Sequence, residues 1–200
     1  MNRTKVVVFD FDHTLYNNVV YEDWQNYCTK GLRRLLSFLD EVTIEKIINN
    51  QKEFGDLNII QTLIEQGLSV DDWINYRKQN LRSFDISNAT AVNKTVLKEF
   101  ADKYILYIVS HNQRFDVERV AKAMKINLKM FKDILTNTFK DGLFSKKYLY
   151  NKIIEREKIK PDELFVIGDD YEYDIKPALE ICARGQQVTG CAFKLEDFEL

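Results

Sequence analysis

The sequence predicts a doubly wound α/β fold, a parallel sheet covered by helices on both faces, with a small helical domain inserted after the first strand. Three observations predict it. Short apolar runs recur at 5–9 (KVVVF), 104–109 (YILYIV), 133–136 (DILT) and 164–167 (LFVI), and continuous runs of this length read as parallel strands buried on both faces. Segments of helical spacing lie between them at 92–103, 114–125, 146–158 and 172–182, and strand alternating with helix is the pattern of a parallel α/β sheet. From 17 to 88 the alternation stops, and no strand is evident there.

The first strand, 5–9, stops abruptly at Asp10. The interval after it carries amphipathic helical patterns near 19–39, 43–53, 57–66 and 70–83. Ser69 followed by Asp72 has the spacing of a capping box, and Gly67 stands where a helix C-terminal glycine belongs. Some seventy residues far exceed an ordinary strand-to-helix loop, which has a median length of about 4–6 residues. The interval is therefore read as an inserted domain, giving a core of residues 1–16 and 89–200 and a helical cap of 17–88. A last strand is expected at 187–193 (QVTGCAF).

Composition narrows the function classes. The 200 residues, 45% of them apolar and 30% charged, are enough for one core with a small appendage. Basic and acidic side chains number 29 and 31 and are dispersed, for a net charge of −2, so no basic face is offered to a phosphate backbone and nucleic acid is not expected as a partner. The apolar run that begins at Val6 is too short for a signal peptide or a membrane span, so a cytoplasmic protein with no membrane partner is expected. Cys28, Cys182 and Cys191 have no metal-ligand spacing and read as reduced packing residues. No coiled coil demands an oligomer, and a monomer is favoured.

Each strong polar signal falls just past the carboxyl end of a strand or at a helix start, where open α/β sheets place their ligands. Asp10, Asp12 and Thr14 follow the first strand; residues i and i+2 leaving a strand point the same way, so two carboxylates share one place and repel unless a cation is present. Ser110, His111 and Asn112 close YILYIV. Lys146 and Lys147 open the helix before LFVI, which is followed by IGDDYEYD with Asp169, Asp170 and Asp174. Leu149, Ile153 and Ile154 lie at i+3, i+7 and i+8 from Lys146, so Lys146 shares the sheet-facing side while Lys147 is rotated about 100° from it.

In this order and on these elements the residues resemble the four motifs of the haloacid dehalogenase superfamily in its phosphatase branch with a helical (C1-type) cap: Asp10 and Asp12, then Ser110, then Lys146, then Asp169 with Asp174. The resemblance implies a Rossmann-like (HAD-like) core and a Mg²⁺-dependent phosphatase acting on a small phosphorylated metabolite through an aspartyl-phosphate. Its implied roles make Asp10 the nucleophile and Asp12 the general acid/base, with Ser110, Asn112 and Lys146 on the phosphoryl group. The metal residues are Asp10, Asp12 through its backbone carbonyl, Asp169 and Asp174, the last by direct ligation or through a metal-bound water. Such a set suits magnesium, which takes oxygen ligands octahedrally and keeps several waters. A carboxylate at position 12 separates this chain from the dehalogenases and P-type ATPases of the superfamily. A sugar-phosphate mutase on the same core, or a non-catalytic binding module, is the alternative.

Some departures and bland readings stand beside this. Relatives commonly have glycine where His13 and Cys182 stand, and a proline-containing pattern after the lysine where this chain has Tyr148 and Leu149. His13 and His111 are read as local structure more than substrate contacts, and Asp170 as either supporting or solvated. Tyr21, Trp24 and Tyr27, with Trp73 and Tyr76, read as the inserted domain's own core. Lys140 and Lys152, which extend the lysine cluster, read as solvated surface.

Overall fold

The computed structural model describes residues 4–51, 56–136 and 145–200. Lys140 and the last two positions of the expected helix 43–53 lie outside the described residues. The chain divides into two compact units, one of residues 1–19 and 86–200 and one of residues 20–85.

In chain order the elements begin with strand β1 (Val6–Phe9) and the two-residue strand β2 (Tyr16–Asn17). The second unit holds β3 (Val20–Tyr21), α1 (Trp24–Leu35), α2 (Glu41–Asn49), α3 (Asp56–Glu65), α4 (Val70–Gln79) and β4 (Phe84–Asp85). The first unit resumes with β5 (Thr90–Ala91), α5 (Lys94–Ala101), β6 (Ile105–Ser110), α6 (Arg114–Ala123), β7 (Asp133–Thr136), α7 (Lys147–Glu157) and β8 (Leu164–Gly168). A π-turn, Tyr171–Ile175, then leads into α8 (Lys176–Leu179) and β9 (Arg184–Gln187).

The main sheet has the order β7-β6-β1-β8-β9, every pair parallel. The α/β class holds because β1 is apolar on both sides: Val6, Val7, Val8 and Phe9 are all fully buried, as a central parallel strand requires. Alternation along the strands divides the core in two. Val6, Val8, Tyr107, Val109, Leu164 and Val166 pack with Leu149, Tyr150 and Ile153 of α7 and with Ile175 and Ala178. On the other face Phe9 meets Phe100 of α5 edge-on at 5.2 Å, with Phe131 and Phe193 close by. From β1 the chain builds outward to β6 and β7, then crosses to the other side for β8 and β9, so the order reverses at β1. A crevice opens beyond the carboxyl ends of the strands at such a reversal.

The helical unit is centred on aromatic rings. Trp73 is fully buried, Tyr27 and Tyr76 nearly so, and Trp24 stacks on Tyr27. Trp73 and Tyr76 stack at 5.4 Å. Gly31 of α1 admits them, since a Cβ there would lie 2.6 Å from Trp73 Cζ3 and 2.8 Å from Tyr76 Cε1. Arg82 lies over the Trp24 ring at 4.7 Å, a geometry in which the ring quadrupole attracts the cation. The Ser69–Asp72 capping box forms in both directions, and Gly67 has φ +81°.

Four expectations are corrected. A strand pair does occur within 17–88: β3 and β4 form a two-residue antiparallel ladder where the chain enters and leaves the helical unit, too short to leave a periodic signal. The last strand is β9 at 184–187, ahead of the expected 187–193. Its sequence RGQQ is polar because it is a half-exposed sheet edge, whereas Cys191 and Phe193 are buried beyond it in irregular chain. The single helix expected at 172–182 is a π-turn followed by one short helix. Finally, Cys182 is exposed with φ 61°, so it serves no packing role, while Cys28 and Cys191 are buried. No described helix is long and apolar enough to cross a membrane.

Candidate active site

Register explains why distant motifs meet. Phe9 of β1 pairs with Ile108 of β6 on one side and Ile167 of β8 on the other. Asp10 is one residue past Phe9, and Ser110 and Asp169 are two residues past its partners. All three therefore leave the same edge of three adjacent strands, which lie about 4.8 Å apart. The Asp10 amide donates to the Ile167 carbonyl at 2.8 Å, which holds the strand end in place.

Asp10, Asp169 and Asp174 each present a carboxylate oxygen within 4.8 Å of the others. Asp174 arrives by the π-turn. Its Oδ2 accepts the Asp170 amide at 3.0 Å, and the Asp170 side chain accepts the Tyr173 amide at 3.0 Å. Asp170 is thus the cap of the turn and not part of the acid cluster. Gly168 is required at this point, because a Cβ would stand 2.4 Å from Asp174 Oδ2.

Lys146 is 2% exposed, and its Nζ donates to Asp10 Oδ1 and Asp174 Oδ1, each at 2.5 Å. Lys147 points elsewhere: it is half-buried and pairs with Glu180 at 3.3 Å. Of the two lysines only Lys146 joins the acids, as expected for the residue on the sheet-facing side. Four residues further along α7, Tyr150 lies on the same side and donates its hydroxyl to the Asp174 carbonyl at 3.2 Å.

Electrostatics in the cluster are unbalanced. Burial pushes Asp10 up to about 8, helped by the charges of Asp174 and Asp12 and opposed by Lys146. Asp169 is also raised, first by burial and then by Asp174. Burial alone would discharge Lys146, yet the Asp10 carboxylate, with Tyr150 and Asp174, holds its ammonium above the ordinary value. Among the described residues, three acids thus face one ammonium in a low-dielectric place. A hard divalent cation fits that excess of negative charge and that all-oxygen donor set.

Asp12 occupies different surroundings, and its carboxylate is not one of the three. It accepts the Tyr16 hydroxyl at Oδ1, and Asn112 Nδ2 at 2.7 Å and Ser110 Oγ at 3.3 Å at Oδ2. Ser110 is fully buried, and its Oγ also accepts the Asn112 amide at 3.0 Å. Tyr16 and Tyr150 were not singled out in the sequence; the only trace of either is a spacing of four from Asp12 and from Lys146.

His13 and His111 lie at the margin. His13 is exposed, with φ 57° and Nδ1 3.4 Å from Asn17 Oδ1. Its left-handed backbone accounts for the glycine common there in relatives, since only glycine enters that region without a Cβ penalty. The His111 ring stands edge-on to Tyr173 at 5.7 Å.

Comparison with known proteins agrees with this geometry. A family model described as haloacid dehalogenase-like hydrolase matches residues 4–181. No curated protein sequence matches the chain. Among solved structures, a haloacid dehalogenase-like hydrolase from Streptococcus pneumoniae is 18% identical with a TM-score of 0.55, covering 98% of this chain and 90% of its own. A protein from Haemophilus somnus, described as a predicted phosphoglycolate phosphatase, is 15% identical with a TM-score of 0.56, over 98% and 92%. An enzyme of the family from Bacteroides thetaiotaomicron, in complex with magnesium and inorganic phosphate, is 14% identical with a TM-score of 0.56, over 98% and 100%. At these identities the structural likeness is one of fold. With the family model spanning nearly the whole core, the chain belongs to the haloacid dehalogenase-like hydrolases.

Proposed function

We propose that the chain is a Mg²⁺-dependent phosphatase of small phosphorylated metabolites, with Asp10 as nucleophile and Asp12 as general acid/base. One observation carries the reading. Two carboxylates two residues apart have opposite surroundings: among the described residues Asp10 sits with two acids and an ammonium, whereas Asp12 is held by the neutral donors of Tyr16, Ser110 and Asn112. Two acids in contrasting environments are the usual basis for dividing nucleophilic from proton-transfer duty.

In this reading Asp10 attacks phosphorus in line while Asp12 gives its proton to the departing ester oxygen, and an aspartyl-phosphate forms. Asp12 then takes a proton from the water that attacks the phosphorus and releases Asp10. Ser110 and Lys146 hold the phosphoryl oxygens in both halves, a task that needs charge already in place before reaction. Asp10, Asp169 and Asp174, with the backbone carbonyl of Asp12, would hold the magnesium. When bound, that ion supplies the positive charge that lets a phosphate dianion approach a carboxylate. The solved structure from Bacteroides thetaiotaomicron with magnesium and phosphate supports this choice.

The helical unit is assigned the role of the cap, selecting the substrate and excluding water. Its rings are spent on its own core, so specificity is assigned to polar residues of the unit and not to stacking on Trp73 or Tyr27. Three cysteines without a disulfide support a reducing, cytoplasmic setting.

The test is phosphate release from a panel of phosphorylated metabolites, p-nitrophenyl phosphate and simple alkyl phosphates, with Mg²⁺ and with chelator. Release is expected with Mg²⁺ only, and Asp10→Asn is expected to lower it by about a thousandfold or more. No turnover on the panel, or a variant equal to wild type, would overturn the reading. Steady release without a bisphosphate activator excludes the mutase.

A further inference from the structure

The environment of Asp12 goes further than its proposed role. Each oxygen of an ionised carboxylate offers two lone-pair sites in its plane. At Oδ2 both are taken, by Asn112 Nδ2 at 2.7 Å and Ser110 Oγ at 3.3 Å. At Oδ1 one is taken, by the Tyr16 hydroxyl, and among the described residues nothing takes the other. The phenol itself has little freedom. Tyr16 is 1% exposed, its ring packs edge-on against Phe11 at 5.0 Å, and its backbone pairs with Ala91 of β5.

From this geometry we propose that Tyr16 is a positioning residue for the reaction, which through its hydrogen bond makes Asp12 Oδ1 the oxygen that exchanges the proton with the ester. The inference rests on the phosphatase reading above. In the first half the proton leaves Oδ1 for the departing oxygen as the P–O bond breaks and its electron pair goes to that oxygen. In the second half a proton from the attacking water returns to Oδ1. Tyr16 neither gains nor loses a proton. By donating to one side of Oδ1 it directs the remaining lone pair, and the Asn112 amide on Oδ2 keeps the carboxylate from turning over. The chain has built this support from a residue four positions after Asp12, on the short strand that precedes the helical unit.

Leaving-group dependence tests the idea, because a poor leaving group needs the proton and a good one does not. For Tyr16→Phe, kcat on the alkyl phosphate that the wild type turns over fastest is expected to fall about tenfold or more, and on p-nitrophenyl phosphate by no more than about twofold, with KM little changed on both. In an Asp12→Asn background the same substitution is expected to change neither rate. Equal losses on the two substrates, or an undiminished loss in the Asp12→Asn background, would show a structural effect only and overturn the proposal. A crystal structure of Tyr16→Phe is decisive without turnover: a reoriented Asp12 carboxylate supports the proposal, and an unmoved one overturns it. Failure of the phosphatase reading is told apart by the wild type, which would then release no phosphate or depend in no way on Asp10.

Discussion

At the scale of single residues, the positions that depart from the family's usual glycines carry a cost the backbone makes visible. Cys182 is exposed at φ 61°. A left-handed conformation costs an L-residue about 1–2 kcal/mol, and glycine gives back up to about 1 kcal/mol of that through its freer unfolded chain. Cys182→Gly is therefore expected to raise stability by about 0.5 kcal/mol, read as a higher urea midpoint at unchanged slope. A lower midpoint would mean that the thiol has a packing role after all. Gly168 presents the opposite case. Alanine there must displace the Asp174 carboxylate, because its Cβ would lie 2.4 Å from Oδ2. Displacing a group that orients a metal site typically costs about 10–100-fold in metal affinity, so Gly168→Ala is expected to raise the Mg²⁺ concentration for half-maximal phosphate release by that factor. An unaltered Mg²⁺ dependence would remove Asp174 from the proposed metal set.

At the scale of elements, the two units are stabilised by different means. The sheet is held by aliphatic strands buried on both faces, while the helical unit depends on Trp73 and Tyr76 closing over Gly31, with Tyr27 against both rings. Gly31→Ala would force both Trp73 and Tyr76 aside, and overpacking of this kind costs about 1–3 kcal/mol. Both tryptophans, Trp24 and Trp73, lie in residues 20–85, so tryptophan fluorescence reports on this unit. Its thermal transition is expected at lower temperature in the variant, and an unshifted transition would show that α1 and α4 can separate freely. The start of α4 was legible because capping is local: Ser69 and Asp72 need only each other. The π-turn was not, since it exists to bring Asp174 back toward residues on two other elements. Nor was β9, whose polar sequence is tolerated only because nothing pairs beyond it in the described sheet.

At the scale of the whole molecule, acid stability depends on a charge network on α7 and β7, apart from the proposed site. Glu157 accepts hydrogen bonds from Lys132, at 2.6 Å, and from the Tyr107 hydroxyl, and its side chain is 5% exposed. Burial opposes its ionisation, but these two donors and the nearby Arg156 hold it below the ordinary carboxylate range. Asp133 is lowered in the same way against burial by Arg156 and Arg114. As pH falls the unfolded chain takes up these protons first. The stability they contribute is therefore complete above about pH 4.3, the ordinary glutamate value, and is lost as pH falls through the depressed folded values. Glu157→Gln is expected to cost about 1.5–3 kcal/mol at neutral pH, with the gap from wild type closing toward pH 3 in denaturant titrations. A gap independent of pH would mean that the carboxylate's charge plays no part.

What the sequence by itself determined is whatever short-range pattern encodes. The apolar runs specify strands, the spacing of Leu149, Ile153 and Ile154 specifies the buried side of α7, and Asp10, Ser110 and Asp169 stand at strand ends whatever the order of those strands. Only the tertiary structure decided which of these groups touch. Lys146 reaches Asp10 across 136 positions of chain because β6, β1 and β8 lie side by side and α7 packs on one face of them. The same packing brought Asn112 to Asp12 across 100 positions. Contacts of that kind depend on strand order and register, which are global properties, and periodicity along the chain carries no record of them.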